Sequence, residues 1–191
     1  MASPIRIATL PNAISFARAA CGPLVLVLLL SSSSSAVLAT VLAVMLFAGA
    51  SDIVDGAVAR SYEQTGGLGE IVDPVCDAVY HLSVFLAFLS YGWIPAWMVF
   101  LIYARELIVP YLKTFVRQFG ADLRLRWGSG IKTAVYSVCQ IAVIVWALRS
   151  DDPEALTGDT VIYLLMSIAC ASAVISTLDY IAAALRVRAS Q

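Results

Sequence analysis

Apolar residues run along this chain in six long stretches, and most polar residues collect in the short segments between them. Each stretch is close to the roughly 20 residues that an α-helix needs to cross the hydrocarbon core of a bilayer. The predicted helices cover Ala13–Leu30, Ala36–Arg60, Gly69–Leu89, Pro95–Phe119, Ile131–Leu148 and Val161–Leu185. The pattern predicts an all-α integral membrane protein, a six-transmembrane-helix bundle with a short N-terminal interfacial segment.

Turn and cap residues define the boundaries of these helices. The serine tract Ser31–Ser35 predicts a tight turn outside the lipid, and the polar segment Ser61–Gly67 predicts a second turn. Asn12 is a candidate N-cap for the first helix, since Asn accepts a hydrogen bond from the first turn. Charges at Arg105 and Glu106 and the proline at 110 predict an interruption of the fourth helix.

Composition supports a membrane protein. Of 191 residues, 61% are hydrophobic and 13% are charged, whereas a soluble domain has about 25% charged residues. This length suits a single domain over residues 1–191. The basic residues form no long stripe, which argues against a nucleic-acid partner. The four cysteines are scattered without a C-x-x-C pair, which argues against a zinc or redox motif.

The distribution of basic residues predicts the orientation in the membrane. With the six predicted helices, the side that carries the N-terminus holds Arg6, Arg60, Lys113, Arg117, Arg124, Arg126, Lys132, Arg186 and Arg188. The opposite side holds Arg149 amid four acidic residues. Since cytoplasmic loops are enriched in Lys and Arg, both termini are predicted to be cytoplasmic.

Four carboxylates gather at the ends of the second and third predicted helices. Asp52 and Asp55 are three residues apart and Asp73 and Asp77 are four apart, so each pair shares one helix face. A charged residue at membrane depth costs roughly 2.5 to 3.5 kcal/mol on insertion scales, so this group needs a compensating cation. Oxygen ligands favour magnesium, manganese or calcium over zinc. Because protein-bound magnesium usually leaves some coordination positions to water or phosphate oxygens, a phosphate or diphosphate substrate is expected.

Small and basic residues beside the carboxylates fit the same interpretation. Gly56 follows Asp55, and Gly69 lies one turn before Asp73, so a ligand or the facing helix can approach closely at both positions. Arg60 is suited to pair with a phosphate. The structural alternative is a buried ionic network that joins two helices, but one arginine does not balance four aspartates.

The motif D-x2-D-G-x2-A-R-x8-G-x3-D-x3-D runs without a gap from Asp52 to Asp77. It resembles the signature of the CDP-alcohol phosphotransferase (CDP-alcohol phosphatidyltransferase) family. The resemblance implies six transmembrane helices, a homodimer, and two divalent ions, Mg2+ or Mn2+. It also implies transfer of a phosphatidyl-type group from a CDP-linked lipid to an alcohol, with release of CMP.

The resemblance also implies roles for individual residues. The family's metal ligands correspond to Asp52, Asp55, Asp73 and Asp77, and the last of these, Asp77, corresponds to the general base. The family's nucleotide- and diphosphate-binding positions correspond to Asp55, Gly56, Ala59, Arg60 and Gly69. A carboxylate within reach of the acceptor hydroxyl suits removal of its proton.

Three further segments suggest the acceptor. Leu10–Ile14, Ala104–Val109 and Ile131–Thr133 resemble segments of bacterial phosphatidylglycerophosphate synthases. This resemblance implies a multi-pass enzyme of the bacterial inner (cytoplasmic) membrane that joins CDP-diacylglycerol to glycerol 3-phosphate. An acidic acceptor needs cations, and the candidates on the cytoplasmic side are Arg105, Lys113, Arg117, Arg124 and Lys132.

Two departures from that branch leave other acceptors open. Ala78 stands where such synthases usually have a lysine, and Ser129-Gly130-Ile131-Lys132 replaces their G-K-x-K. The alternatives within the family are inositol phosphate, phosphatidylglycerol and serine as acceptors. Outside the family, the alternatives are an intramembrane prenyltransferase, which usually has two Asp-rich motifs, and a cation transporter, whose acids would lie along a path through the membrane.

Three polar residues have a structural interpretation beside the functional one. Arg18 can face the central cavity, but it is expected instead to extend to the near interface while its stem stays among apolar side chains. His81 lies one turn after Asp77 and is expected to be a hydrogen-bonded packing residue. Arg105 can bind an acceptor or simply pair with Glu106.

Overall fold

The computed structural model describes residues 10–61, 69–118 and 129–189, with side chains described for residues 13–50, 72–118 and 130–187. No strand occurs within these ranges. The elements are α1 (Leu10–Ser31), α2 (Ser35–Ser61), α3 (Gly69–Ser90), α4 (Ala96–Arg117), α5 (Ser129–Arg149), a short 3₁₀ turn (Pro153–Leu156) and α6 (Thr160–Ala189). The all-α prediction is confirmed for the described part of the chain.

Two local predictions are wrong. Asn12 is not the N-cap, because α1 already begins at Leu10; Pro11 is tolerated there, since the first turn of a helix has no use for its missing N–H. The fourth helix is not interrupted, because α4 continues through Pro110. The charges of Arg105 and Glu106 do not break it, since they pair with one another at 2.9 Å.

Four of the six helices contain a segment long and apolar enough to cross a membrane. These segments are Ala13–Ser31, Val72–Ser90, Gly130–Arg149 and Thr160–Val187, and α2 contributes a shorter apolar segment, Ser35–Ala50. The charges of Arg105, Glu106 and Lys113 lower the hydropathy of α4. A multi-pass membrane protein is supported, but six spans are not confirmed.

The α1 and α3 helices pack closely along their length. At Gly22 of α1, an added Cβ would lie 2.6 Å from the Cα and 2.8 Å from the carbonyl oxygen of Tyr80 on α3. Only glycine permits this approach. The helix α1 also contacts α2, while α3 contacts α4 and α5, and α6 packs against α4 and α5. Ser15 near the start of α1 contacts Asp73 near the start of α3, and Thr133 near the start of α5 contacts Asp77, so these three helices begin at the same end of the bundle.

The loop end of the molecule is formed by the α1–α2, α3–α4 and α5–α6 connections. The α1–α2 turn is confirmed, since α1 ends at Ser31 and α2 begins at Ser35. Hydrogen bonds join the three connections: the Tyr91 hydroxyl donates to the carbonyl of Leu29 at 2.6 Å, and the indole of Trp93 donates to the carbonyl of Pro153 at 2.9 Å. These contacts fix the ends of the helices relative to one another.

Candidate functional site

The first turns of α3 present the second pair of predicted metal ligands. Asp73 is exposed and accepts a hydrogen bond of 2.7 Å from the hydroxyl of Ser15 on α1. Asp77, one turn later, keeps 14% of its side chain exposed. The first pair, Asp52 and Asp55, belongs to the C-terminal part of α2. The side chains of that pair lie outside the described residues, as do those of Ala59 and Arg60 and the surroundings of Gly56 and Gly69.

Asp77 is the point where α1, α3 and α5 meet. One carboxylate oxygen, Oδ2, accepts a hydrogen bond of 2.7 Å from Thr133 and lies 3.8 Å from the ammonium of Lys132. The other, Oδ1, lies 3.9 Å from Nη2 of Arg18 and 3.4 Å from Nε2 of His81. The last carboxylate of the acidic motif is thus surrounded by donors from three helices.

The expectation that Arg18 extends to the interface is wrong. Its side chain is only 7% exposed and lies beside Asp77. The physical reason is the close approach of α1 to α3 at Gly22, one turn away. That approach turns this face of α1 toward the interior of the bundle, where the guanidinium finds a carboxylate.

The expectation that His81 is a hydrogen-bonded packing residue is confirmed. Its Nδ1 lies 2.8 Å from Oε1 of the buried Gln140 on α5. The amide nitrogen of Gln140 also donates to the backbone carbonyl of His81 at 3.0 Å. That second bond orients the amide, because a carbonyl can only accept. The same ring turns its other nitrogen toward Asp77, so the packing residue also forms one wall of the site.

Two of the predicted acceptor cations meet at a buried carboxylate. Arg105 on α4 and Lys132 on α5 are 5% and 4% exposed and bind the two oxygens of Glu106 at 2.9 and 2.8 Å. Arg105 also lies 3.4 Å from the hydroxyl of Ser176 on α6. The pairing of Arg105 with Glu106 is confirmed. Lys132 contacts both Glu106 and Asp77 and so links the two groups of charges. We call the resulting set the buried charge cluster; it consists of Arg18, Asp77, Arg105, Glu106 and Lys132.

The other predicted acceptor cations lie elsewhere. The ammonium of Lys113 sits over the ring of Tyr180 on α6, 4.9 Å from its centroid. Lys113 follows Arg105 by eight residues, which corresponds to about 12 Å along a helix. Arg117 is exposed another turn farther on, and Arg124 lies outside the described residues. The structure therefore brings Arg105 and Lys132 together but separates them from Lys113 and Arg117.

The described carboxylates are suited to a hard divalent cation. Asp73 is exposed, and Oδ1 of Asp77 is buried without a hydrogen bond of good geometry to any described residue. A buried oxygen left without a partner is costly, and a cation or water removes that cost. No group of three His, Cys, Asp or Glu side chains suited to hold a metal occurs among the described residues, which include two of the four predicted ligands.

Sequence reasoning missed several residues of the site. Ser15 and Thr133 each donate to a motif aspartate, and Gln140 holds His81. Hydroxyl residues in apolar helices are ambiguous in a sequence, because they often bond only to a carbonyl of the preceding turn. Thr133 carried the clearest signal, since it follows Lys132 directly.

Comparisons with known proteins find similarity along most of this chain. A family model described as CDP-alcohol phosphatidyltransferase matches residues 8–185. A Mycobacterium tuberculosis protein named "Probable phosphatidylglycerophosphate synthase" is 32% identical over 188 residues, 97% of this chain and 86% of the relative. A Streptomyces coelicolor "Cardiolipin synthase (CMP-forming)" is 32% identical over 117 residues, 60% of this chain and 54% of the relative. A Bacillus subtilis "CDP-diacylglycerol--glycerol-3-phosphate 3-phosphatidyltransferase" is 26% identical over 147 residues, 71% of this chain and 76% of the relative.

Proposed function

The chain belongs to the CDP-alcohol phosphatidyltransferase family, and from this premise we propose that it joins CDP-diacylglycerol to glycerol 3-phosphate. The products would be phosphatidylglycerophosphate and CMP. The family places the protein in phospholipid synthesis, and the relatives named as phosphatidylglycerophosphate synthases support this acceptor. The acceptor and the metal are the parts that need an experiment.

The observation that carries the proposal is the contact between Asp77 and α5. Asp77 ends the motif assigned to the CDP-linked donor, and Lys132 and Thr133 lie 3.8 and 2.7 Å from its carboxylate. Lys132 in turn binds Glu106 at 2.8 Å, next to Arg105. Asp77 of the donor motif is thus linked through Lys132 and Glu106 to Arg105, and this connected set of charges suits an acceptor that carries its own phosphate.

The proposed reaction is a single displacement at phosphorus. A carboxylate oxygen of Asp77 takes the proton of the acceptor hydroxyl, and the oxygen of that hydroxyl forms a bond to the phosphatidyl phosphorus. The bond from this phosphorus to CMP breaks, and CMP leaves with the electron pair. Lys132 and Arg105 hold the acceptor's phosphate through charge-assisted hydrogen bonds, which fixes its hydroxyl beside Asp77.

Divalent ions are part of the proposal. Asp52, Asp55, Asp73 and Asp77 would hold two ions, Mg2+ or Mn2+, which suit oxygen ligands. When bound, the ions supply charge neutralisation at the diphosphate and at the CMP leaving group. Gly56, Ala59, Arg60 and Gly69 would complete the nucleotide and diphosphate site.

Location and assembly follow from the same premise. The charge distribution supports an active site and both termini on the cytoplasmic side of a bacterial-type inner membrane, where soluble glycerol 3-phosphate is available. A homodimer is proposed from the family alone.

Release of CMP tests the proposed function. The purified protein in vesicles containing CDP-diacylglycerol is offered glycerol 3-phosphate, inositol phosphate, serine and phosphatidylglycerol in turn, with Mg2+ or with a chelator. We expect CMP release with Mg2+ and glycerol 3-phosphate, and recovery of phosphatidylglycerophosphate. Absence of metal-dependent CMP release with every acceptor would contradict the reaction class, whereas turnover with another acceptor would contradict the acceptor alone.

A second candidate is the transfer to phosphatidylglycerol, which would give cardiolipin. The observation that favours it is the 32% identity over 117 residues to a protein named as a CMP-forming cardiolipin synthase. The same assay distinguishes the two, because this acceptor is a membrane lipid and the product is cardiolipin. Lys132 beside Asp77, and Arg105 on the same glutamate as Lys132, favour the doubly charged phosphate of glycerol 3-phosphate over the singly charged diester of phosphatidylglycerol.

A further inference from the structure

We propose that Glu106 is a positioning residue that holds Lys132 and Arg105 in the geometry needed to bind the acceptor's phosphate. It would thereby set the affinity for the acceptor and leave the affinity for the CDP-linked donor unchanged. This inference deepens the proposed function and rests on it, because it assumes a phosphorylated acceptor beside Asp77.

Glu106 uses both carboxylate oxygens on two different cations. Oε2 binds Nη1 of Arg105 at 2.9 Å, and Oε1 binds Nζ of Lys132 at 2.8 Å. The Glu106 side chain is only 7% exposed, and the two cations are at least as buried. Charge-assisted hydrogen bonds of this length are among the strong ones in proteins, so this carboxylate fixes the positions of both cationic groups.

The arrangement is not a by-product of helix spacing. Adjacent residues of a helix point about 100° apart, so the side chains of Arg105 and Glu106 do not normally face each other. They converge here because Lys132 approaches from α5 and Ser176 from α6, the latter 3.4 Å from Nη2 of Arg105. Glu106 therefore joins α4 to α5 at one point, and Arg105 extends this contact to α6.

Both cations keep donors that Glu106 does not use. Nε of Arg105 is buried and has no hydrogen-bond partner among the described residues. The ammonium of Lys132 has three donors, one of which goes to Glu106, while Oδ2 of Asp77 lies 3.8 Å away. The ammonium also lies over the ring of Tyr136, 4.9 Å from its centroid. The buried Nε of Arg105 is therefore the unsatisfied donor of the pair, and such a donor costs free energy. An anion with several oxygens, such as a phosphate monoester, can accept from both cations while Glu106 remains in place.

Only a carboxylate suits this position. A buried cation without its counter-charge is strongly destabilised, and an amide at position 106 would offer one oxygen and turn its NH2 toward the second cation. Glu106→Gln keeps the size of the side chain but loses one of the two bonds. Glu106→Asp keeps the charge on a shorter stem and should restore part of the geometry.

Steady-state kinetics of Glu106→Gln test the proposal. With glycerol 3-phosphate as the acceptor, we expect its KM to rise about tenfold or more, which corresponds to losing one charge-assisted hydrogen bond. The KM for CDP-diacylglycerol should stay within about twofold, and Glu106→Asp should recover part of the acceptor affinity. The matched control is Glu154→Gln, since Glu154 is an exposed glutamate at the loop end, and neither KM should change.

The outcomes separate this inference from the proposed function. An unchanged acceptor KM in Glu106→Gln, or an equal rise in both KM values, would overturn the role of Glu106. CDP-diacylglycerol binding can be measured as the rise in unfolding temperature that it causes. If both Glu106 variants lost this rise, the role proposed for Glu106 would be overturned, because Glu106 would then be needed for the fold as a whole. A wild-type protein without turnover would contradict the proposed function itself. If the wild-type protein used another acceptor, the KM for that acceptor would be measured in Glu106→Gln instead, and an unchanged value would overturn the role of Glu106.

Discussion

The two ends of the bundle are held together by different interactions. At one end, the buried charge cluster joins α1, α3, α4 and α5 through ion pairs around Asp77 and Glu106. At the loop end, neutral donors bond to backbone carbonyls, as Tyr91 does to Leu29 and Trp93 to Pro153. A serine hydroxyl of the α1–α2 turn also donates to Glu154 at 2.8 Å, and no ion pair joins the described residues at this end. A buried ion pair seldom stabilises more than an apolar pair of the same volume, so the charges at the first end indicate a demand other than stability.

Asp77→Asn, at the charged end of the bundle, is the change with the largest expected effect on turnover. The amide keeps the size of the side chain but cannot take a proton from the acceptor, and general-base catalysis is worth roughly 10²- to 10⁴-fold. We expect CMP release to fall by about that factor. The matched control is Asp151→Asn in the exposed α5–α6 connection, which should retain wild-type turnover. A wild-type rate for Asp77→Asn would remove Asp77 from the catalytic role.

Lys132→Met should affect both activity and folding. The substitution keeps an apolar stem but leaves Glu106 without one partner and removes the cation nearest to Oδ2 of Asp77, while Arg18 stays 3.9 Å from Oδ1. Breaking a buried ion pair by removing one member typically costs about 3 to 5 kcal/mol. We therefore expect a lower unfolding temperature in detergent, together with weaker binding of glycerol 3-phosphate. Lys113→Met, at the Lys113–Tyr180 contact outside the cluster, is the comparison.

If Lys113→Met weakened acceptor binding as strongly as Lys132→Met, the acceptor site would extend along α4 beyond the buried cluster. Equal stability of Lys132→Met and wild type would indicate that Glu106 finds a replacement partner. Either result would change which residues form the acceptor half of the site, and the second would also weaken the argument for Glu106.

The sequence predicted the helices and the acidic motif because both follow from local patterns. Apolar stretches of about 20 residues give the helices, and the spacing of Asp73 and Asp77 places them on one face. The course of α4 and the position of Arg18 were not predictable in the same way. They depend on contacts between helices: Glu106 is compensated from α5, and Arg18 is turned inward by the contact of Gly22 with Tyr80.

The polar partners of the site illustrate the same limit. The motif identified Asp73 and Asp77, but the sequence does not show that Ser15 and Thr133 donate to them, because each donor lies more than fifty residues from its aspartate. Lys132 was predicted as a cation on the cytoplasmic side. That it lies between Asp77 and Glu106 depends on how α5 packs against α3 and on the reach of its side chain to α4, which requires the tertiary structure.

Gly22→Ala tests whether the close contact between α1 and α3 is needed for stability and turnover, as the charges of the cluster are. The new Cβ would meet backbone atoms of Tyr80 at 2.6 and 2.8 Å, so the helices must separate. Overpacking of this kind typically costs about 1 to 3 kcal/mol. We expect a lower unfolding temperature and reduced turnover, because Arg18 would shift relative to Asp77. Gly49→Ala on α2 is the matched control, since a Cβ there meets nothing within 4 Å; an equal effect of both changes would contradict this explanation.

Tyr91→Phe should have the smallest effect and should leave chemistry untouched. The hydroxyl donates to the carbonyl of Leu29, one of the last carbonyls of α1, which has no partner within its own helix. Burial and the nearby carboxylate of Glu154 raise the pKa of Tyr91, so the hydroxyl remains a donor at neutral pH. Losing the bond should cost about 1 kcal/mol, seen as a small decrease in the unfolding temperature.

The control for Tyr91→Phe is Tyr163→Phe, which removes the hydroxyl of an exposed tyrosine on α6 and should change neither stability nor rate. Turnover by Tyr91→Phe should equal that of wild type, because the loop end and the charge cluster lie at opposite ends of α3. A loss of activity without a loss of stability would show that the hydrogen bonds of the loop end also set the geometry around Asp77. The two ends would then be mechanically coupled through α1 and α3, and the division between a structural end and a reactive end would no longer hold.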